Sequence, residues 1–269
     1  MLLEAMPAYL SDIYRFRGFI LGSVRREFAS RYRNSMLGAA WLVLQPLAQI
    51  LVYTLIFASV MRARLPGVDT TFGYSIFLCA GILTWGLFSE IVGRSQNMFI
   101  DNANLLKKLS FPRIALPVIV VLSACLGFCV IFGLFTAFLV VSGSFPGWAY
   151  LALAPILLVQ VVFAVGLGMN IGVLNVFFRD VGQFFGIVLQ FWFWLTPIVY
   201  PLSTLPDWAQ ELVMWNPMTP IMLAYQGILV RGELPHWQQL APVFVLGLLL
   251  CALGLQLFRK RVGEMADEL

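Results

Sequence analysis

Charge is what this chain of 269 residues has least of: Asp, Glu, Lys and Arg make up 11% of it, against about a quarter in an ordinary soluble domain. Beside 61% hydrophobic residues, that shortfall excludes a conventional soluble protein and predicts an all-α integral membrane protein. No stretch between the apolar runs is long enough for a sizeable soluble domain. Histidine is nearly absent too, with one, His236, in a polar loop. The four cysteines (Cys79, Cys125, Cys129 and Cys251) all lie inside apolar runs, where they behave as small hydrophobes. Cys125 and Cys129 share a helical face, but no His, Asp or Glu stands near enough in sequence to complete a metal site. Neither a disulfide framework nor a metal site is expected.

Catalytic and energy-coupling motifs are missing as well. The sequence has no GxxxxGK[ST] and no Gly-Lys dipeptide at all, so it holds no P-loop, and it has neither HExxH nor GxSxG. Ion-driven transporters place acids or histidines at mid-membrane, yet Glu90 is the one clear ionisable group inside the predicted spans, and it lies near an end. A membrane acyl- or glycosyltransferase needs an acid or His placed as general base. The chain is therefore expected to be non-catalytic, with any energy source on another polypeptide.

What is present is a succession of apolar segments. Residues 1–40 carry six arginines and no long apolar core, so no cleavable signal sequence is expected. From about Tyr9 to Arg33, Leu10, Ile13, Ile20, Val24 and Phe28 recur near helical spacing, with Arg15, Arg25, Arg26 and Arg33 mostly elsewhere on the wheel, although Arg17 and Arg31 interrupt the stripe. This predicts an amphipathic helix in the membrane interface, basic side toward anionic headgroups; a water-facing tail with incidental periodicity is the alternative. Six spans follow, at 41–61, 72–92, 114–141, 148–177, 183–201 and 240–258. The first holds Gln45, Pro46 and Gln49, which are costly against lipid, so that face is expected to meet protein or water. In the second, Glu90 either snorkels or pairs with Arg94, and pairing is favoured.

Residues 93–113 read as a polar loop. Asp101 or Asn102 caps a short helix there, Lys107 and Lys108 fall in its last turn, where cations suit the dipole, and Pro112 ends it. Leu105, Leu106 and Leu109 give it an apolar edge, a docking surface for another protein or, alternatively, part of a solvated connector. In the fourth span Gly168 and Gly172 have the spacing that lets helices approach closely, while Asn170 and Asn175 are polar at depth, for packing or for lining a pore. The fifth segment, RDVGQFFGIVLQFWFWLTPIVYP (179–201), opens on Arg179-Asp180 and ends in Trp192, Trp194, Thr196, Pro197, Tyr200 and Pro201. Its prolines are tolerable in lipid only where neighbours satisfy the freed carbonyls, which predicts a place in the bundle beside a polar path. An ordinary span with an interfacial aromatic belt is the alternative. Residues 202–239 form a gate region in which Met218–Val230 is shorter than the roughly 20 residues needed to cross, predicting re-entrant or interfacial helices.

Lys and Arg are distributed unevenly. The N-terminus, the 93–113 loop, the Arg179 turn and the 259–269 tail carry 6, 4, 1 and 3, and the other three loops 2, 0 and 1. By the positive-inside rule both termini are cytoplasmic, and the net charge of +4 reflects topology rather than nucleic acid.

Four stretches resemble a known family. RYRNSMLGAAWLVLQPL (31–47) is similar to a basic amphipathic entry into span one, NANLLKKLSFPRIALPV (102–118) to a cytoplasmic loop helix with a Phe-Pro-Arg exit, and FFRDVGQFFGIVLQFWFWLTPIVYP (177–201) to an Arg-Asp turn before a span ending in Thr-Pro and Tyr-Pro. WNPMTPIMLAYQGIL (215–229) resembles an Asn-Pro gate element, although Tyr225 and Gln226 stand where an arginine often follows. Together they resemble the membrane subunit of type-2 ABC exporters for polysaccharides, most closely the O-antigen branch, with teichoic acid and capsule permeases as alternatives. The resemblance implies a homodimer in the bacterial inner membrane with two copies of a separate ATPase subunit, which uses the ATP and Mg; this chain needs no cofactor. It implies ATPase coupling through Asn102, Leu105, Leu106, Lys107, Lys108, Phe111, Pro112, Arg113, Arg179 and Asp180. It implies a channel at the dimer interface in which Gln45, Gln49, Phe191, Trp192, Trp194 and Tyr200 meet the glycan, and an undecaprenyl-pyrophosphate head met by Arg25, Arg26, Arg31 and Arg33. A membrane-embedded enzyme of envelope lipid assembly and a non-transporting scaffold are the rival classes.

Overall fold

The computed structural model describes residues 14–32, 40–56, 65, 72–106 and 115–268. The expectations that fall on Lys107, Lys108, Leu109, Phe111, Pro112, Arg113, Arg33 and the Arg31 side chain lie outside the described residues. Among the described residues the chain is helical, without strands. In order it forms α1 (Arg17–Tyr32), α2 (Trp41–Tyr53), α3 (Gly73–Asp101), the short α4 (Ala103–Leu106), α5 (Ala115–Val141), α6 (Leu153–Phe177, led in by a 3-10 turn at Gly147–Ala152), α7 (Asp180–Trp194), α8 (Asp207–Met214), α9 (Met218–Gln226, ending in a wide turn at Gly227–Arg231) and α10 (Trp237–Glu268).

Four of these, α3, α5, α6 with its lead-in turn, and α10, are long and apolar enough to cross a membrane. Three run side by side in one direction. Gln160 of α6 donates to the Thr84 carbonyl of α3, and Asn175, further along α6, donates to the Gln96 carbonyl further along α3. On the other flank a Cβ on Gly247 would come within 3.0 Å of Phe163, and Asn170 donates to the Leu250 carbonyl. The expected close approach at Gly168 and Gly172 is there: a Cβ on Gly168 would meet that of Ser95 at 2.6 Å, and one on Gly172 would collide with the Ser95 carbonyl oxygen. Missing side chains bring the backbones together, and the asparagines then reach across as interhelical bonds rather than as pore lining.

α5 runs back along α3 in the opposite direction, Phe138 near its end meeting Phe72, and its end follows from Gly143, at φ +69°. The Ser144 amide donates to Leu139 and the Gly143 amide to Val140, the paired bonds of a glycine-stopped helix. α1 lays Ile20 and Val24 into the bundle, half-buries Phe28 and exposes Arg25 and Arg26. It is pinned there by Glu27, which pairs with Arg94 of α3 and accepts from the Ser123 hydroxyl of α5 at 2.9 Å. Arg94 also pairs with Glu90 at 3.5 Å, as expected of that acid.

Two helices outrun the sequence expectation at their ends. α3 runs to Asp101, nine residues past the predicted exit at 92, and α10 continues through the tail to Glu268. The reason is one apolar cluster beyond the expected spans, in which Phe99 stacks on Phe258 at 5.4 Å and Met98, Leu106, Val176 and Met265 are buried around them. Helices that still have something to bury do not stop at a change in composition.

Candidate functional site

The fifth segment runs the length of its neighbour α3 but is helical only in part. Gly182 bonds Asn175, which also reaches Gln96 and Asn97 on α3. Trp192 packs on Trp85 and Phe88, and Val199 accepts from Tyr74. The segment thus descends α3 from residue 97 to residue 74, about 34 Å at 1.5 Å per residue, a little more than the roughly 30 Å hydrocarbon core. Helix α7 itself has 15 residues and stops at Trp194, because Pro197 has no amide to give the turn before it and pushes Thr196 out of the helical region.

The carbonyls so released are all satisfied. Those of Phe191 and Phe193 accept from the Leu195 and Thr196 amides. That of Trp192 takes the Thr196 hydroxyl at 2.8 Å, that of Trp194 the Tyr200 hydroxyl at 3.0 Å, and that of Leu195 the Asn216 amide at 3.2 Å. Thr196 accepts from the Ile198 amide, Pro197 and Ile198 from Gln226, and Val199 from Tyr74. Non-helical backbone packed against apolar helices demands this kind of internal accounting. Asn216 is the hub: its carbonyl oxygen accepts the Trp192 indole N–H at 2.7 Å and the Met218 amide at 3.0 Å, while its amide nitrogen donates to Leu195 and Thr196. Gly81 lies under the turn, where a Cβ would stand 3.0 Å from the Ile198 carbonyl.

This geometry sorts the expected glycan-contacting residues. Trp192 is half-buried, packed among Trp85, Phe88 and Phe163, with its N–H taken by Asn216. Tyr200 is half-buried and its hydroxyl is committed to Trp194. Phe191 and Trp194 are exposed, at 65% and 61%, and Phe184 and Ile187 join them. Gln183 and Gln190 lie exposed beside these residues, so α7 presents glutamines and aromatic rings along one open face and buries Leu189 alone. On α2, Gln45 is exposed together with Leu44, Leu47 and Leu51, and with Leu55 just past its end, whereas Gln49 is half-buried and donates to the Tyr53 hydroxyl.

The expected coupling residues that are described gather at the other end of α3. Arg179 and Asp180 are exposed at the start of α7, beside the Asn175 bridge to Gln96 and Asn97. Asn102 and Leu105 follow α3 directly and are half-exposed. Leu106 belongs instead to the core, at 3% exposure, and presents no docking edge. Asn102 does not cap the next helix with its side chain but bonds back to the Met98 carbonyl at 2.8 Å. Arg25 and Arg26 are exposed on α1.

Sequence reasoning missed Tyr74, Gly81 and Gln226 as partners of the Thr-Pro turn and Glu27 as the partner of Arg94. The Asn216-Pro217 pair was the one visible signal for the hub. Gln226, fully enclosed in an apolar stretch, was the other trace available.

Residues 20–230 match the family model described as ABC-2 type transporter. The chain is 32% identical over 266 residues to the O-antigen export system permease protein RfbA of Myxococcus xanthus, covering 98% of this chain and 100% of the relative. It is 30% identical over 243 residues to an O-antigen export system permease protein RfbA of Klebsiella pneumoniae, covering 90% and 91%. To the polysialic acid transport protein KpsM of Escherichia coli it is 22% identical over 241 residues, covering 89% and 92%.

Proposed function

The chain belongs to the ABC-2 type transporter family, and from that premise we propose that it is the membrane permease of an ATP-driven exporter of lipid-linked polysaccharide, O-antigen first among the substrates. The observation that carries the substrate class is the open face of α7, where Gln183, Gln190, Phe184, Phe191 and Trp194 lie exposed on a segment that travels the depth of a bilayer. Ring faces hold sugars by many weak contacts, and glutamine amides offer donors and acceptors to hydroxyls, so a long chain is held at every unit and fixed at none. Likeness to O-antigen export permeases over nearly the whole chain supports the same substrate, and a capsule polysaccharide is the second choice.

In this reading the exposed faces of α2 and α7 are closed by a second copy, and the channel runs between the two. Two copies of an ATPase subunit, which hold the ATP and Mg, dock at the end bearing Asn102, Leu105, Arg179 and Asp180, with Lys107, Lys108, Phe111, Pro112 and Arg113 continuing that surface in sequence. The parallel run of α3, α6 and α10, with α5 and the fifth segment running back along α3, supports six crossings, and the distribution of Lys and Arg supports cytoplasmic termini in the bacterial inner membrane. Arg25 and Arg26 on α1, with Arg31 and Arg33 after them, meet the pyrophosphate head of an undecaprenyl carrier. Gln45 and Gln49 line the entrance side of the path.

Reconstitution in proteoliposomes tests this: glycolipid transfer requires the second subunit and hydrolysable nucleotide. Full-rate transfer by this chain alone, without nucleotide, or chemical turnover of the glycolipid by it, overturns the reading in favour of a membrane-embedded enzyme or a passive conduit.

A further inference from the structure

A cleft of about 320 Å³ lies between α5 and α6, away from the open face of α7. Phe128 and Phe132 form one wall and Leu153 and Leu157 the other. It opens sideways at Gly133 and Ala154, both exposed. Tyr225 of α9 also lines it: this side chain is 1% exposed and its hydroxyl has no hydrogen-bond partner. A buried phenol ordinarily finds an acceptor, so of the two tyrosines that line the cleft, Tyr150 and Tyr225, the second carries a donor still waiting for one. At the mouth the Thr136 and Tyr150 hydroxyls bond each other at 2.6 Å.

We propose that this cleft seats an acyl chain of a bilayer glycerophospholipid, with the Tyr225 hydroxyl donating to the chain's ester carbonyl. The mouth lies between two helices that cross the membrane, so what reaches it laterally is lipid. Its depth fits: exposed Trp148 and then Tyr150 stand in the lead-in turn of α6, the headgroup level that aromatic rings favour, and Leu153 begins the next turn inward, where ester groups lie. The volume is at the small end of the roughly 300–1,000 Å³ of ligand clefts, enough for part of one hydrocarbon chain. A glycan needs a partner at most of its hydroxyls, and walls of Phe128, Phe132, Leu153 and Leu157 give it few.

Native mass spectrometry of the purified protein titrated with 1-palmitoyl-2-oleoyl-phosphatidylethanolamine, and with its diether analogue, which lacks the ester carbonyls, tests the assignment. The protein is expected to hold the diester about fivefold more tightly, the worth of one net hydrogen bond, and Tyr225→Phe to hold both alike. Gly133→Phe fills the mouth, where a Cβ meets nothing within 4 Å; with a size-exclusion profile like the parent's, it is expected to lose the tightly held lipid. Equal binding of the two lipids by the unaltered protein overturns the proposal, as does a diester preference that survives in Tyr225→Phe. So does a Gly133→Phe protein that keeps its lipid, or one that loses a second copy of the chain instead. None of these readouts requires nucleotide or transport, so they stand apart from the test of the exporter reading.

Discussion

Replacing Asn216 by alanine isolates what holds the fifth segment together. The substitution removes four hydrogen bonds, two accepted from Trp192 Nε1 and the Met218 amide and two donated to Leu195 and Thr196. The accepted pair matters more. Met218 is fully buried and the half-buried Trp192 packs its indole among rings, so each N–H is left without its acceptor, at about 1–3 kcal/mol apiece. The donated pair costs less, because Leu195 is exposed and water takes over its carbonyl. Together the loss is about 3–5 kcal/mol, and with roughly 2–4 °C per kcal/mol for a chain of this size, Tm of the purified protein drops by about 10 °C. Trp192→Phe supplies the control, since it deletes one of the orphaned donors. In that background Asn216→Ala should cost about 1–2 kcal/mol less, a non-additivity that a double-mutant cycle reads directly. A Tm within 2 °C of the parent, or strictly additive costs, would refute the claim that Asn216 is the hub.

Further outcomes follow from the same contacts. Gly168→Leu should abolish folded protein, because even a Cβ there strikes Ser95, whereas Gly127→Ala, with nothing within 4 Å, should leave Tm unchanged or raise it slightly; size-exclusion profiles and melting curves separate them. Trp192→Ala should lose about 3–5 kcal/mol as a core truncation, while Trp194→Ala should keep its Tm and slow glycan export several-fold; equal effects on Tm would return Trp194 to the scaffold. Reversing charge at Lys107 and Lys108 should leave the protein in the membrane with ATP hydrolysis uncoupled from export, and undiminished export would remove those residues from the docking surface.

The helices, their approximate limits and the membrane setting were legible because each rests on composition read over many residues. α5 and α6 with its lead-in turn begin and end within a residue or so of the expected spans. Gly168 and Gly172 were legible because spacing alone puts them on one face. Trp192 and Trp194 were not distinguishable: two tryptophans two residues apart in the same apolar helix differ only in direction, and only packing says that one meets Phe88 while the other stays open. Leu106 was misread for the same reason, because nothing local announces that Phe99, Phe258 and Met265 converge on it.

By itself, the sequence determined that this is a helical membrane protein, where its apolar segments lie, and that it carries no nucleotide-binding motif; these depend on residue type and period, which are local. Tertiary structure alone decided that a proline-broken segment is held against apolar helices, because the acceptors it exposes are met by Tyr74, Asn216 and Gln226. Hydrogen bonds between residues 20 to 125 positions apart leave no periodic trace in a chain.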